Sequence, residues 1–183
     1  MMNISILYRW MEPAEIDCLR EIDRAEIIRL GYFYKDSQLK GQPVNWDTPG
    51  FTREGTGDHS FAGQIDFCRG HIQAGAKMIG AFDGNKMVAV GVLRPEIRPG
   101  LAQLAYLQVS NGYRRQGIAS LMVEKLFQFA AATGADRVYV SATPTGSAVG
   151  FYLSQGFSPV KQPLPELYAL EPDDIHMVKD LQN

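Results

Sequence analysis

A basic turn that contains a glycine carries the clearest chemistry in this sequence. It spans residues 113–119, Tyr-Arg-Arg-Gln-Gly-Ile-Ala, between an apolar run and a helix-like run. The first N–H groups of a helix have no internal partner, and the helix dipole adds partial positive charge beside them. Gly117 and Ala119 keep the backbone approachable, and Arg114 and Arg115 carry charge that suits phosphate oxygens. The turn therefore predicts an anion site for a ligand with a diphosphate or a similar group.

Two widespread phosphate motifs do not account for this turn. The sequence contains no P-loop, which needs G-x-x-x-x-G-K-S/T, and no dinucleotide fingerprint, which needs G-x-G-x-x-G after a strand. The pattern that remains is R-x-x-G-x-A at Arg114, Gly117 and Ala119. It resembles the pyrophosphate-binding motif R/Q-x-x-G-x-G/A of the GNAT superfamily of N-acetyltransferases.

A second block of residues strengthens the resemblance. Residues 145–157 are similar to the later motif of the same superfamily, N-x-x-A-x-x-x-Y-x-x-x-G-F, with matches at Ala148, Tyr152, Gly156 and Phe157. Thr145 stands where the family often has asparagine, which puts one side-chain hydrogen bond to the cofactor in question. The resemblance covers residues 76–157, and beyond them only the order of elements matches.

The resemblance implies acetyl-CoA as the acetyl donor and a set of residues that would hold it. The strand ending at Val109 would splay from the strand starting near Arg137, and the pantetheine arm would lie in between, bonded to backbone as an added strand would be. Backbone N–H groups around the basic turn would hold the pyrophosphate. The implied cofactor-binding residues are Leu107, Val109, Arg114, Arg115, Gln116, Gly117, Ile118, Ala119 and Ser147.

The implied reaction is direct attack of an amine on the thioester, because no cysteine lies near either motif and no G-x-S-x-G elbow exists. Tyr152 stands where the family places the acid that protonates the leaving thiolate, although an aromatic packing role beside Phe151 is the competing interpretation. The base is not fixed by the sequence. The residues that qualify by position only are Glu26, Glu54, Asp58 and His59.

The sequence predicts no metal site. Cys18 and Cys68 lack the spacing of metal ligands, and small buried hydrophobes are the favoured interpretation over a redox role. The histidines, His59, His71 and His176, are scattered and favour structural or surface roles, although one of them lining the acceptor pocket stays open.

Composition narrows the class of protein. With 183 residues, 45% of them hydrophobic, and a formal net charge of −2, the chain is expected to form a single domain over residues 1–183 with no electrostatic case for nucleic acid. No apolar run is long enough to span a membrane, and the first residues lack the pattern of a secretory signal peptide, so a cytoplasmic location is expected. The acceptor is a small-molecule or peptide amine that the sequence does not name. Two other hypotheses are a non-catalytic acyl-CoA-binding or sensing domain and a structural or interaction domain without a CoA site.

Hydrophobic periodicity predicts the elements that position these residues. A first strand at 3–9 precedes a helix from Pro13 to about Leu30, and a second helix begins at Asp58 or Ser60 and stops at Gly75. A hairpin at 76–82 and 86–93 turns at Asp83-Gly84-Asn85. Next come a strand to Val109, a helix at 119–129, a strand at 137–142, the helix of the second block, and a last strand at 175–179.

Residues 31–57 show no periodicity but carry several aromatic side chains, so this segment is either a loop packed by its own side chains or a wall of the acceptor site. The predicted order is β-α-α-β-β-β-α-β-α-β, an α/β (α+β) fold with a mixed, mostly antiparallel central sheet flanked by helices. The same order is implied by the resemblance.

Overall fold

The computed structural model describes residues 5–181, and their elements follow one another without long gaps. The strands are β1 (Ile6–Met11), β2 (Glu26–Lys35), β3 (Gln38–Thr48), β4 (Lys77–Asp83), β5 (Lys86–Arg98), β6 (Leu101–Val109), β7 (Arg137–Ala142), β8 (Ser158–Pro159) and β9 (Ile175–Asp180). The α-helices are α1 (Phe61–Gln73), α2 (Ile118–Ala132), α3 (Gly146–Ser154) and α4 (Pro165–Leu170). Two 3-10 helices are Pro13–Glu21 and Asn111–Tyr113. None of the helices in the described part of the chain is long and apolar enough to cross a membrane.

Seven strands form one sheet in the order β1-β4-β5-β6-β7-β9-β8, while β2 and β3 form a separate two-stranded ribbon. All neighbouring strands of the large sheet are antiparallel except β6 and β7, which are parallel. One face of the sheet packs on α2 and α3, and the other packs on the 3-10 helix Pro13–Glu21 and on α1. The predicted fold class, a mixed and mostly antiparallel sheet flanked by helices, is confirmed.

Local signals placed several boundaries correctly. Ser60 caps α1, because its side chain accepts a hydrogen bond from the N–H of Gly63 at 3.0 Å. Gly75 follows that helix with φ +91°, a conformation that favours glycine. The central hairpin of β4 and β5 turns where it was predicted, at Gly84, whose φ is +57°. The last strand was also predicted, and it extends to Asp180.

The predicted first helix is wrong in type and in length. The segment from Pro13 is a 3-10 helix that ends at Glu21, and β2 has begun at Glu26, where the helix was expected to continue to about Leu30. The predicted first strand lies two to three residues too early: β1 begins at Ile6, and Asn3 lies outside the described residues.

The expected loop at 31–57 is instead mostly a ribbon of β2 and β3, followed by irregular chain to α1. Its turn is formed by Asp36 and Ser37, both with positive φ, as in a tight two-residue hairpin. Gly31, where the sequence shows the end of hydrophobic periodicity, allows the Trp46 indole to cross the ribbon: a Cβ at this glycine would lie 2.7 Å from the indole. The glycine is therefore required by packing between the two strands and does not end them.

Two further differences lie towards the end of the chain and around Pro95. β5 extends beyond the predicted end at residue 93, through Pro95 to Arg98, with an irregular register, and the turn into β6 is at Gly100. The proline-rich segment after Phe157 contains the short elements β8 and α4, which the sequence did not predict.

Candidate functional site

A gap opens between β6 and β7 because the two strands pair only over their first residues. The parallel register runs from Leu101↔Arg137 to Gln103↔Tyr139 and stops there, after which β7 pairs only with β9. The first part of β6 is buried, but Ala105 to Val109 are half-buried. An extra residue at Ala105 shifts the register with β5 at the level where the gap begins. The splay that the resemblance implied is present.

Two residues of β6 direct their backbone groups into this gap. The N–H of Ser110 donates to the carbonyl of Val88 at 2.8 Å, so Ser110 faces β5. Because the directions alternate along an antiparallel strand, the N–H and C=O of Val109 and Leu107 face away from β5. The Val109 carbonyl accepts from Arg114 Nε at 3.1 Å, which agrees with this direction. Leu107 and the Val109 N–H therefore line the gap with groups that an extended ligand could bond.

The turn at residues 114–119, which we call the anion loop, lies at the open end of the gap. Among residues 5–181, no backbone or side-chain group accepts a hydrogen bond from the N–H groups of Arg115 through Ser120. Arg115 and Gly117 both have positive φ, 59° and 81°, as in loops whose N–H groups converge. A Cβ at Gly117 would meet nothing within 4 Å. The loop therefore presents a set of free N–H donors, at the start of α2, to open space.

The side chains of the anion loop divide into those bound to the protein and those facing solvent. The Arg114 guanidinium donates to the carbonyls of Val109 and Arg24, at 3.1 and 2.8 Å, and forms an ion pair with Glu26 at 3.1 Å. It thus fixes the loop to its neighbours. Arg115 is exposed, and no residue in the described range 5–181 forms an ion pair with it.

The other predicted residues of this region have simpler roles in the structure. The Gln116 amide donates to the carbonyl of Gly112 at 3.2 Å, within the loop. Ile118, the first residue of α2, is buried, and Ala119 is half-buried. The backbone N–H groups of both are among the free donors described above.

The ribbon crosses the open end of the gap. The chain just before β2 is hydrogen-bonded to the chain just after β6: the N–H of Asn111 donates to the carbonyl of Asp23 at 2.7 Å. Further along, the N–H of Tyr32 donates to the carbonyl of Pro144, just beyond β7, at 2.9 Å. β2 therefore spans the distance between the two diverging strands. Of its aromatic side chains, Phe33 and Trp46 remain more than a third exposed.

Glu26, at the start of β2, joins both sides of the gap. Besides its ion pair with Arg114, it accepts a hydrogen bond from the Ser147 hydroxyl at 3.1 Å. Ser147 in turn contacts the Thr145 hydroxyl at 3.0 Å. Thr145, the departure from the family pattern, caps α3 by accepting from the N–H of Ala148 at 3.2 Å. Its hydroxyl therefore stabilises the helix that carries Tyr152.

Tyr152 lies in α3 with its ring packed among aromatics. The ring centroids of Phe151 and Phe157 are each 5.4 Å away, and Tyr152 is only 7% exposed. Burial, and to a lesser extent the charge of Asp174, raises the pKa of Tyr152, so its hydroxyl keeps its proton at neutral pH. The residue is held rigidly and carries a proton, which fits both a packing role and that of an acid.

Asp174 is a residue that the sequence analysis missed. Burial, then the nearby charges of Glu171 and Asp173, raises its pKa to about 7. It directly precedes β9, whose first residue Ile175 pairs with Ala142 at the end of β7. Three acidic residues before an apolar strand were the only signal in the sequence, and such a run is usually solvated. Burial, which makes this carboxyl unusual, depends on the fold.

The residues considered as bases are not brought together. Glu54 and Asp58 are exposed, and Glu26 is paired with Arg114. The His59 Nδ1 lies 3.0 Å from Arg24 Nη2, and because arginine can only donate, this ring nitrogen is the acceptor. His59 is therefore already engaged through its basic nitrogen. Of the other histidines, His176 is buried and bonds the Tyr139 hydroxyl at 2.9 Å, a structural role.

The chain belongs to the acetyltransferase (GNAT) family, whose sequence profile matches residues 42–157. The resemblance drawn from the two motifs is thereby confirmed. No curated protein sequence is significantly similar to this one.

Solved structures of low sequence identity share the fold. A nourseothricin acetyltransferase superposes with a TM-score of 0.71 at 13% identity, over 96% of this chain and 98% of the other. A Bacillus anthracis protein in complex with acetyl coenzyme A gives 0.68 at 17% identity, over 95% and 96%. The PaiA N-acetyltransferase of Thermoplasma acidophilum, in complex with coenzyme A, gives 0.61 at 15% identity, over 96% and 99%.

Proposed function

We propose that this protein is an N-acetyltransferase that moves an acetyl group from acetyl-CoA to an amine. The observation that carries the proposal is the gap between β6 and β7, which has free backbone donors of the anion loop at its open end. Membership of the GNAT family and the two structural neighbours that hold acetyl coenzyme A or coenzyme A support it. In this proposal the pyrophosphate lies on the N–H groups of Arg115 to Ala119, and the pantetheine arm bonds Leu107 and Val109.

The reaction proceeds by direct attack on the thioester carbonyl. The nitrogen of a neutral amine forms a bond to the acetyl carbon, and the carbonyl oxygen takes up negative charge, which a backbone N–H of β6 stabilises. The nitrogen then loses its extra proton to a base, the carbon–sulfur bond breaks, and the thiolate receives a proton from Tyr152. We assign the base to Asp174, whose half-buried carboxyl directly precedes β9 beside the end of β7 and whose raised pKa, about 7, suits a base at neutral pH. Proton transfer from Asp174 then restores the tyrosine.

The acceptor is a small-molecule or peptide amine, and the ribbon, at the open end of the gap, is placed to contact a part of it that lies away from the reacting nitrogen. The exposed aromatic faces of Phe33 and Trp46 stand on a strand pair that spans the opening. The alternative function, a non-catalytic acyl-CoA-binding or sensing domain, uses the same gap without transfer. Amine-dependent release of free thiol separates the two functions.

Acetyl-CoA is expected to raise the melting temperature of the protein. A ligand that binds only the folded state, present at about 100 times its dissociation constant, adds about 2.7 kcal/mol to the free energy of unfolding. The measurement is a thermal melt with and without acetyl-CoA or CoA, at concentrations up to the millimolar range. Pantetheine is the matched ligand control, and it should raise the melting temperature far less because it lacks the pyrophosphate. A melting curve unmoved by CoA would rule out the proposed site.

Asp174→Asn is expected to make the protein more stable and less active at neutral to alkaline pH. The carboxyl has an ordinary pKa of 3.8 and a folded-state pKa raised to about 7, so the folded state binds its proton more tightly than the unfolded state. The parent therefore loses stability as the pH rises from 3.8 to about 7, and the asparagine variant does not undergo this loss. Melts across this pH range measure the difference. Equal pH dependence of stability in the two proteins would show that the folded state does not raise the pKa of Asp174.

A further inference from the structure

Three buried side-chain polar atoms have no hydrogen-bond partner within the described part of the chain. They are Arg94 Nε, Gln103 Oε1 and the Tyr106 hydroxyl. Buried polar groups in folded proteins are nearly always bonded, and leaving one unpaired costs about 1–3 kcal/mol. Three such unpaired atoms on neighbouring strands therefore require a physical explanation.

The three side chains share one face of the sheet. Arg94 and Gln103 are directly paired across β5 and β6, and Tyr106 is paired with Val92, two residues before Arg94 on the same strand. That face is covered by α1, because the Tyr106 ring lies 6.4 Å from the ring of Phe67. The three side chains thus lie near one another on the face that α1 covers, and we call this cluster of polar groups the polar pocket.

The polar pocket adjoins the point where the gap begins. Gln103 is the last residue of β6 that pairs with β7, and it is only 4% exposed. Beyond it the strands diverge, and Tyr106 stands on the diverging part of β6. Phe67, on α1 above the pocket, is 39% exposed and offers an apolar surface at its edge. These positions place the three buried polar groups beside the closed end of the gap, on the α1 side of the sheet.

The charge of the polar pocket is positive and uncompensated. No residue in the range 5–181 forms an ion pair with Arg94, which is half-buried. The neighbouring His71 does not offset it, because burial, and then the charge of Arg94, lowers the pKa of His71 and favours its neutral form. A partly desolvated cation without a partner is costly unless an anion joins it. The pocket is therefore suited to a negatively charged group.

We propose that Arg94, Gln103 and Tyr106 bind a carboxylate next to the reacting amine of the acceptor, so that the acceptor is an amino acid or a molecule built like one. This rests on the proposed function. Arg94 Nε–H and the Tyr106 hydroxyl donate to the carboxylate, and Gln103 Oε1 accepts from an N–H of the amine. In this arrangement the acetyl carbon lies at the closed end of the gap, and the attacking nitrogen must come within about 3–3.5 Å of it.

The first test measures binding and does not require turnover. The probes are the N-acetyl forms of the common amino acids and, for each, the uncharged amide, added to CoA-loaded protein in thermal melts. At least one N-acetyl amino acid is expected to raise the melting temperature well above the effect of its amide. If no acid shifts the parent, or if the amides shift it equally, the pocket does not bind a carboxylate and the inference is wrong.

Tyr106→Phe separates a ligand-binding role from a structural one. Because the Tyr106 hydroxyl has no partner among the described residues, its removal is expected to leave the melting temperature of the free protein unchanged or slightly higher. The same change should reduce the shift caused by the N-acetyl amino acid and leave the shift caused by CoA intact. A loss of stability in the free protein, with ligand shifts unaltered, would assign the hydroxyl to the fold and overturn the inference.

The kinetic test compares Arg94→Gln with Arg98→Gln, which removes an equal charge from the same strand at an exposed ion pair with Glu166. The parent should acetylate an amino acid in preference to the corresponding amine without a carboxylate. Arg94→Gln should lower kcat/KM for the amino acid by about 100-fold and leave the simple amine nearly unaffected. Arg98→Gln should retain the preference. Equal transfer to the amino acid and to the simple amine by the parent, with no loss of amino-acid transfer in Arg94→Gln, would overturn the carboxylate site and leave the transferase proposal standing. If no amine is acetylated but the N-acetyl amino acids still bind, the proposed transferase activity is contradicted and the carboxylate site is not.

Discussion

Replacing Gly117 by glutamate is expected to abolish the binding of acetyl-CoA. The glycine has φ +81° and its Cβ position faces open space beside the free N–H donors of the anion loop. A glutamate there brings a carboxylate into the space proposed for the pyrophosphate, and like charges repel strongly where the donors converge. The thermal shift caused by acetyl-CoA in the parent should therefore disappear, and calorimetry should detect no binding.

Gly75→Glu is the matched control for this change. Gly75 also has a positive φ, +91°, and a Cβ there also meets nothing within 4 Å, but it lies at the end of α1. The variant therefore carries the same backbone strain and the same added charge at a distance from the anion loop. It should lose a similar amount of stability and bind acetyl-CoA as the parent does. Normal binding by Gly117→Glu would show that the loop is not the phosphate site.

Tyr152→Phe should lower turnover by about ten- to a thousandfold, the range expected of one proton-transferring group, while acetyl-CoA affinity stays close to that of the parent. The hydroxyl is required only when the thiolate leaves, so its loss falls on the chemical step. The ring remains packed between Phe151 and Phe157, and the fold should be preserved. Steady-state kinetics with a saturating acceptor measure the effect.

Tyr8→Phe provides the control for a lost tyrosine hydroxyl. Tyr8 packs against the same hydrophobic cluster from β1, at the far edge of the sheet, and burial raises its pKa as well. Its removal should leave turnover unchanged. If Tyr152→Phe turns over as fast as the parent, then Tyr152 only packs, and another group must protonate the thiolate.

The parts of the site that the sequence predicted are local. The anion loop depends on a glycine and on the start of α2, and both are fixed by neighbouring residues, so the pattern at Arg114, Gly117 and Ala119 was enough to locate it. The hairpin at Gly84 and the cap at Ser60 were predicted for the same reason. In each case a few adjacent residues determine the backbone conformation.

The parts that the sequence did not predict depend on contacts between distant segments. Residues 31–57 show no hydrophobic periodicity, but cross-strand packing of Trp46 over Gly31 and the hydrogen bond from Tyr32 to Pro144 stabilise a ribbon there. The ion pair of Arg114 with Glu26 joins residues far apart in the chain. The burial that raises the pKa of Asp174 is likewise a property of the folded chain.

Amine-dependent release of CoA from acetyl-CoA tests the central claim most directly. Free thiol is measured for the parent and for Tyr152→Phe against amino acids, peptides, polyamines and amine-bearing antibiotics, with an amine-free control and mass spectrometry of the acceptor. We predict saturable thiol release with at least one amine, an acetyl group on that amine, and a much slower rate for Tyr152→Phe. Acetyl-CoA that binds the parent but releases no more thiol with any of these amines than without would contradict the account and favour a non-catalytic CoA-binding domain.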